Sequence, residues 1–367
     1  MEKSLENHKA EVPSQQPLIS RAPSYTTNPH GFSTLARGRE TTNYMEQPQE
    51  ISPTINSPYF STYQSIRTIS RQNYLQQLRM RLHTLLTSVE GEAGSTEFND
   101  MILRNNGREL HRVVSKLTSE SDYFVEIVSD REGSKRVRRL FGKSQETDEI
   151  LLNAIVRRFI DIMTGKYSYL VAITAFKVSE SFELVSLTLR DALYFASDEI
   201  GCIALNQIIT ESNDIFRYEF FYEISENADW LSMDDSGNFV VQHVLNFHDL
   251  EYTNRVAFRL YGYYVELSSQ RRGSYIVEKI LESGSMIALD LVVSELMECG
   301  GVTLWRLAQD AFGNYVVQKA LRVTRREGRV DLFFGLVQKL KLLPFLDLLR
   351  GSHHGRNIAA IIDSTIV

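Results

Sequence analysis

Three stretches of this 367-residue chain repeat one pattern: DDSGNFVVQHVL from Asp234, QRRGSYIVEKIL from Gln270 and DAFGNYVVQKAL from Asp310. Each carries Gly, then Asn or Ser, an aromatic residue, two branched apolar residues, and Gln or Glu. DEIGCIALNQII from Asp198 keeps the layout. Two looser copies precede it. TGKYSYLVAITA from Thr164 has Tyr167 where the others have Gly, and DREGSKRVRRLF from Asp130 aligns through Ser134. The first position after the Gly is thus Ser134, Ser168, Cys202, Asn238, Ser274 and Asn314, at intervals of 34, 34, 36, 36 and 40 residues. Periods of this size mark repeat architectures. A unit of such length holds two or three helices, and its apolar face can be covered only by a neighbour. The expected fold is an all-α solenoid of about six repeats. Second amphipathic segments, such as Phe216 to Met233 and Arg329 to Leu349, fill the intervals, and Gly351 to Ile362 reads as a terminal half-repeat and cap.

The flanks differ in composition. Seven of the eight prolines precede Tyr59, in a stretch rich in Ser, Thr, Gln and Asn. Such a segment buries too little apolar surface to offset its ordering entropy, so residues 1–70 are expected to be disordered. Leu75, Leu78, Leu82 and Leu85 follow helical spacing, which predicts a lead-in helix and linker over 71–95 ahead of a repeat domain over 96–367. The net charge of −6 and pI of about 5.8 exclude a bulk binder of polyanions but not base-specific recognition of single strands. Cys202 and Cys299 form neither a disulfide framework nor a zinc site. The N-terminus lacks an apolar signal core, and no stretch reaches the length of a membrane span. A reducing, intracellular setting is expected, cytoplasmic, with a nuclear or nucleolar one left open.

Within one copy, residues i and i+4 share a helix face, and i+1 lies beside them. Asn314, Tyr315 and Gln318 therefore form one patch, while Val316, Val317, Ala320 and Leu321 face the inter-repeat core. A single Asn-aromatic-x-x-Gln on a helix is ordinarily a solvated face. Its recurrence behind a Gly makes a regular array that suits a regular ligand. Asn and Gln offer both donors and acceptors, as the uracil edge requires. Glu278, at the position of Gln242 and Gln318, suits the two adjacent N–H donors of guanine. Tyr315, Tyr275 and Phe239 suit base stacking.

On these residues, GNYVVQ, GSYIVE and GNFVVQ above all, the chain resembles the Pumilio (PUF) family of RNA-binding repeat proteins, a family known to read one base per helical repeat. The resemblance implies a right-handed α-solenoid that binds single-stranded RNA antiparallel to the chain. Asn314 and Gln318 with Tyr315 are then expected to read U, Ser274 and Glu278 with Tyr275 to read G, and Asn238 and Gln242 with Phe239 to read U. The implied partner is messenger RNA with a UGU core in a 3′ untranslated region, with protein repressor or decay factors recruited alongside. Cys202 with Asn206 follows, in the place where the family commonly reads A, although Asn206 replaces Gln and Ile203 replaces a larger stacking residue. In the first two copies, Ser168, a weaker candidate for RNA contact, and Tyr169, a candidate for base stacking, are followed by Ala172, which carries no reading group. Ser134 is followed by Lys135 and Arg138, which suit phosphate as well as a solvated face. The family usually has eight repeats, so one or two are expected to be missing, or degraded beyond recognition within Met101 to Val128.

No catalytic motif appears: HExxH, a Walker loop and GxSxG are all absent from the sequence. No cofactor, metal, membrane or small-molecule substrate is implied, and an enzyme is not expected. A solenoid scaffold for proteins and an RNA-processing or ribosome-assembly factor stay open as alternatives. The scaffold has no use for the alternation of Asn/Gln with Ser/Glu.

Overall fold

A computed structural model of the protein describes residues 58–179, 181–342 and 345–364. Most of the expected disordered tail lies outside them. Helix α1 (Pro58–Thr87) begins thirteen residues ahead of the lead-in helix expected from Arg71, with proline at its first position, where a missing N–H is harmless. A second helix, α2 (Ala93–Arg104), follows.

From there the chain runs in triplets: a first helix, a short second helix, and a third helix that carries the motif. The first triplet is α3 (Gly107–Leu117), α4 (Ser121–Ser129) and α5 (Arg131–Leu140). The second is α6 (Gln145–Arg157), α7 (Phe159–Met163) and α8 (Tyr169–Ser179). The third is α9 (Phe182–Arg190), α10 (Ala192–Ser197) and α11 (Gly201–Glu211). The fourth is α12 (Asp214–Glu226), α13 (Ala228–Met233) and α14 (Gly237–Leu245). The fifth is α15 (Leu250–Leu260), α16 (Tyr264–Ser268) and α17 (Gly273–Glu282). The sixth is α18 (Met286–Glu298), α19 (Gly301–Gln309) and α20 (Gly313–Arg326). The terminal half-repeat proves to be a whole triplet: α21 (Val330–Lys341), α22 (Phe345–Gly351) and α23 (Arg356–Asp363). Met101 to Val128 holds no additional repeat. It supplies the end of α2 and the first two helices of the first triplet.

No strand occurs among the described residues. Third helices pack in series, α5 on α8, then α11, α14, α17, α20 and α23. First helices pack in a second row, α9 on α12, then α15, α18 and α21. Burial explains the order. Val240, Val241, Ile276, Val277, Val316 and Val317, all on third helices, are fully buried in the core that these rows share. Each such side chain contributes about 1.5–3 kcal/mol by leaving water. At the end of α8 the packing opens into a cleft lined by Asp148, Leu152, Val178 and Ser181.

The turn into each third helix explains the first residue of the motif. Asp310 Oδ1 accepts from the backbone N–H of Phe312 and Gly313, both at 2.8 Å. Asp234 does the same for Ser236 and Gly237, and Asp198 for Ile200 and Gly201. These bonds satisfy donors that a helix start leaves orphaned. Gln270 breaks the series and turns its amide toward Met233 Sδ at 3.6 Å. The Gly follows from contact: a Cβ at Gly273 would lie 2.5 Å from Leu267 O, and one at Gly313 2.4 Å from Leu307 Cδ1. Where Tyr167 stands instead, the third helix starts only at Tyr169, after the motif's first position rather than before it.

Candidate nucleic-acid interface

The motif residues of α14, α17 and α20 form a repeated arrangement. Phe239, Tyr275 and Tyr315 stand 49, 55 and 55% exposed, as open ring faces. Asn238 and Asn314, at 0 and 3%, are buried. Asn314 Nδ2 donates to Asp310 O (2.8 Å) and Ala311 O (3.1 Å), and Asn238 Nδ2 to Asp234 O (2.8 Å) and Asp235 O (2.9 Å). Carbonyls only accept, so the amide nitrogen must face them, and Oδ1 must face outward. Gln318 Nε2 then donates to Asn314 Oδ1 at 2.9 Å, and Gln242 Nε2 to Asn238 Oδ1 at 3.2 Å. The Asn thus fixes which way the Gln amide points. What remains for a ligand is Gln Oε1 and one N–H of Nε2. The sequence assigns base contact to Asn and Gln alike; in the free protein the Asn is a positioning group. Gln318 Oε1 also accepts from Arg322 Nη2 at 3.3 Å.

In α17, Ser274 Oγ donates to Arg271 O at 3.3 Å, and Glu278 takes the place of the Gln. Between Phe239 and Tyr275 lies a groove of about 1030 Å³, lined also by Gln242, Glu278, Arg272 and Lys319. The neighbouring groove, about 790 Å³, is lined by Cys202, Ile203, Asn206, Phe239 and His243. Cys202 is buried, its thiol donating to Glu199 O at 3.4 Å, and burial raises its pKa. Asn206 Oδ1 is buried with no hydrogen-bond partner, an acceptor left without its complement.

The first two triplets differ. Ser168 is fully buried and donates to Ile162 O at 2.9 Å. Ser134, also buried, donates to Tyr167 O at 2.7 Å. Both hydroxyls are committed to the scaffold. Tyr169 is half-buried against the core, and Ala172 is buried. Lys135 pairs with Glu132 at 3.7 Å, and Arg138 is half-buried with its Nε unpartnered. The basic run they belong to, read from sequence as a phosphate contact or a solvated face, has an inner side that is neither. Arg136 is buried, donating to Leu85 O (2.9 Å) and Ser88 O at the end of α1, with Phe98 5.6 Å from its guanidinium. Arg139 meets Asn99 Oδ1 at 2.7 Å.

One recurrent feature escapes the motif reading. The residue after each Gln or Glu reaches back to the preceding third helix. His243 Nε2 lies 3.0 Å from Thr210 Oγ1, Lys279 Nζ donates to Asn246 Oδ1 at 2.5 Å, and Lys319 Nζ to Glu282 Oε1 at 2.5 Å. Burial holds the His243 pKa below its ordinary value. The signal lay in VVQH, IVEK and VVQK, where a basic residue always follows. Arg272, also unforeseen, sits 5.6 Å from the Phe239 ring centre and pairs with Asp235.

Fold and groove together define a solenoid of three-helix repeats whose later third helices line one groove with exposed rings and Gln or Glu side chains. The chain belongs to the Pumilio (PUF) family. It is 44% identical over 342 residues to "Pumilio homolog 18" of Arabidopsis thaliana, covering 92% of this chain and 97% of that relative. A family model described as the Pumilio-family RNA binding repeat matches residues 192–225, 229–248, 263–297 and 305–333. Among solved structures, the fold is similar to "Puf4 RNA binding domain bound to HO endonuclease RNA 3' UTR recognition sequence", with a TM-score of 0.65, 20% identity and 77 and 88% of the two chains covered. It is likewise similar to that of PUF-8 in complex with PBE-RNA, with a TM-score of 0.61, 18% identity and 87 and 88% covered. No described helix is long and apolar enough to cross a membrane.

Proposed function

We propose that this protein binds single-stranded RNA by sequence, recognising a UGU-containing element in messenger RNA 3′ untranslated regions, and thereby regulates translation or decay. The carrying observation is the fixed amide. With Nε2 held by the Asn, Gln242 and Gln318 each present one acceptor and one N–H. These match the N3–H and a flanking carbonyl of uracil. Glu278 presents only acceptors, which match the N1–H and N2 amine of guanine. Exposed rings beside each edge supply stacking, about 1–3 kcal/mol per base. With RNA antiparallel to the chain, as the family resemblance implies, the order of the helices corresponds to 5′-UGU-3′ from α20 back to α14, and the Cys202–Asn206 groove takes the next base, an adenine.

The structurally similar Puf4 RNA binding domain is bound to a 3′ UTR recognition sequence, which supports this reading. The repeat domain over 96–367 acts as the binding module, in the cytoplasm, and protein factors recruited to the bound message carry out the regulation. The test is a titration of the full chain with two short RNAs, one holding UGUA and one holding ACUA, at near-physiological salt. Tight binding to the first alone is the expected result. Equal, weak binding to both overturns the proposal in favour of a protein scaffold.

A further inference from the structure

Lys319 stands apart from its counterparts in the contacts between third helices. His243 and Lys279 each reach a neutral side chain of the preceding third helix. Lys319 reaches two carboxylates, Glu282 Oε1 at 2.5 Å and Glu278 Oε2 at 3.4 Å. Only the first contact is a hydrogen bond. Lys319 is therefore tethered by Glu282 and held beside Glu278 without occupying its lone pairs. Its side chain is only 23% exposed, and that of Glu278 19%.

We infer that Lys319 is a positioning residue for guanine recognition, set in one repeat and serving the carboxylate of the repeat before it. The inference rests on the RNA-reading proposal for Glu278. Pairing with the two guanine donors requires the Glu278 carboxylate to give up its water while staying ionised, and removing an unpaired charge from water is costly. A cation alongside offsets that cost and holds the carboxylate toward the groove. Because Lys319 leaves the carboxylate's acceptors open, both guanine donors still find partners. Adenine presents an acceptor, N1, where guanine presents a donor, and gains nothing from the arrangement. Lys319 thus acts on the difference between the two purines rather than on RNA affinity in general.

The experiment measures the affinity of the full chain and of its Lys319→Met and Lys319→Arg variants for two RNAs. These RNAs differ only by G or A in the UGU centre. The unmodified chain is expected to prefer G. Lys319→Met is expected to weaken the G-RNA about tenfold, the equivalent of one lost charge-assisted contact, and to leave the A-RNA within about twofold. Retained binding of the A-RNA doubles as the check that the variant is folded. Lys319→Arg is expected to recover most of the preference. Equal weakening of both RNAs by Lys319→Met overturns the inference, since a phosphate contact or a scaffold contact alone gives that result. So does a preference for G that survives Lys319→Met. If the unmodified chain does not distinguish the two RNAs, the assignment of Glu278 falls first and the inference with it.

Discussion

The first two triplets and the fourth to sixth have the same helices in the same order, yet only the fourth to sixth present the full edge-and-ring arrangement. In α14, α17 and α20 the groove residues are an exposed ring, a Gln or Glu, and a small polar residue beneath. In α5 and α8 the corresponding hydroxyls, Ser134 and Ser168, are bonded inward, and Ala172 has no polar atom to offer. The third triplet, with Cys202 and the unpartnered Asn206, stands between the two sets. The family model's matched segments begin at residue 192, so they too leave out the first two triplets. Stacking of the array depends on apolar positions between neighbours, and the groove positions take almost no part in it. Groove chemistry can therefore drift while the solenoid stands. The early repeats have gone further and turned their polar groups to scaffold use, Arg136 most of all.

Substitutions can break this comparison, and they are ordered here by the size of the expected effect. Arg136→Met removes a buried guanidinium from two backbone carbonyls at the end of α1. A loss of about 3 kcal/mol in unfolding free energy is expected, read by urea denaturation, with RNA binding retained by the folded fraction. Unchanged stability would return Arg136 to the groove-facing role suggested by its basic neighbours. Tyr275→Ala is expected to lose about 1–3 kcal/mol of RNA affinity with little change in melting temperature, because its ring is exposed. Tyr169→Ala, its counterpart in α8, should do the reverse, lowering stability and sparing RNA binding. Equal effects of the two on RNA would erase the distinction between early and late repeats.

Asn238→Ala probes the positioning role. It is expected to destabilise the protein by about 1 kcal/mol, since the carbonyls of Asp234 and Asp235 lose their donor, and also to weaken binding at the U read by Gln242. Normal RNA affinity in that variant would mean that the Gln needs no fixing. The smallest effect is one of pH. Burial depresses the His243 pKa in the folded protein, so the unfolded chain binds the proton more readily. Stability is then full above the ordinary histidine value and declines as pH falls below it. A melting series from pH 7.5 to 5.5 should show that decline diminished in His243→Gln.

The sequence made the late repeats legible because their Gly, ring and Gln or Glu recur in register, and the apolar positions between them are buried as their spacing requires. The triplet division was not legible, because the short second helices, such as Tyr264–Ser268, are too brief to show a period. Nor could spacing reveal where a short polar side chain spends its hydrogen bonds. Ser168 and Ser274 occupy the same place in the motif, but the helix start has shifted at Tyr167. Arg136 was hidden by its neighbours, since a run of five basic and apolar residues looks like surface whichever member turns inward.

The missing Asp at the fifth repeat has a kinetic meaning. In the third, fourth and sixth repeats, an Asp oxygen holds the Gly amide at the start of the motif helix. Gln270 leaves Gly273 without that clasp. Amide hydrogen exchange at Gly273 should therefore outpace that at Gly201, Gly237 and Gly313, because no Asp oxygen holds its N–H. Of these four motif helices, the one that carries Glu278 is then the most readily eased open at its start, and the array has a point of give under the position proposed to read guanine.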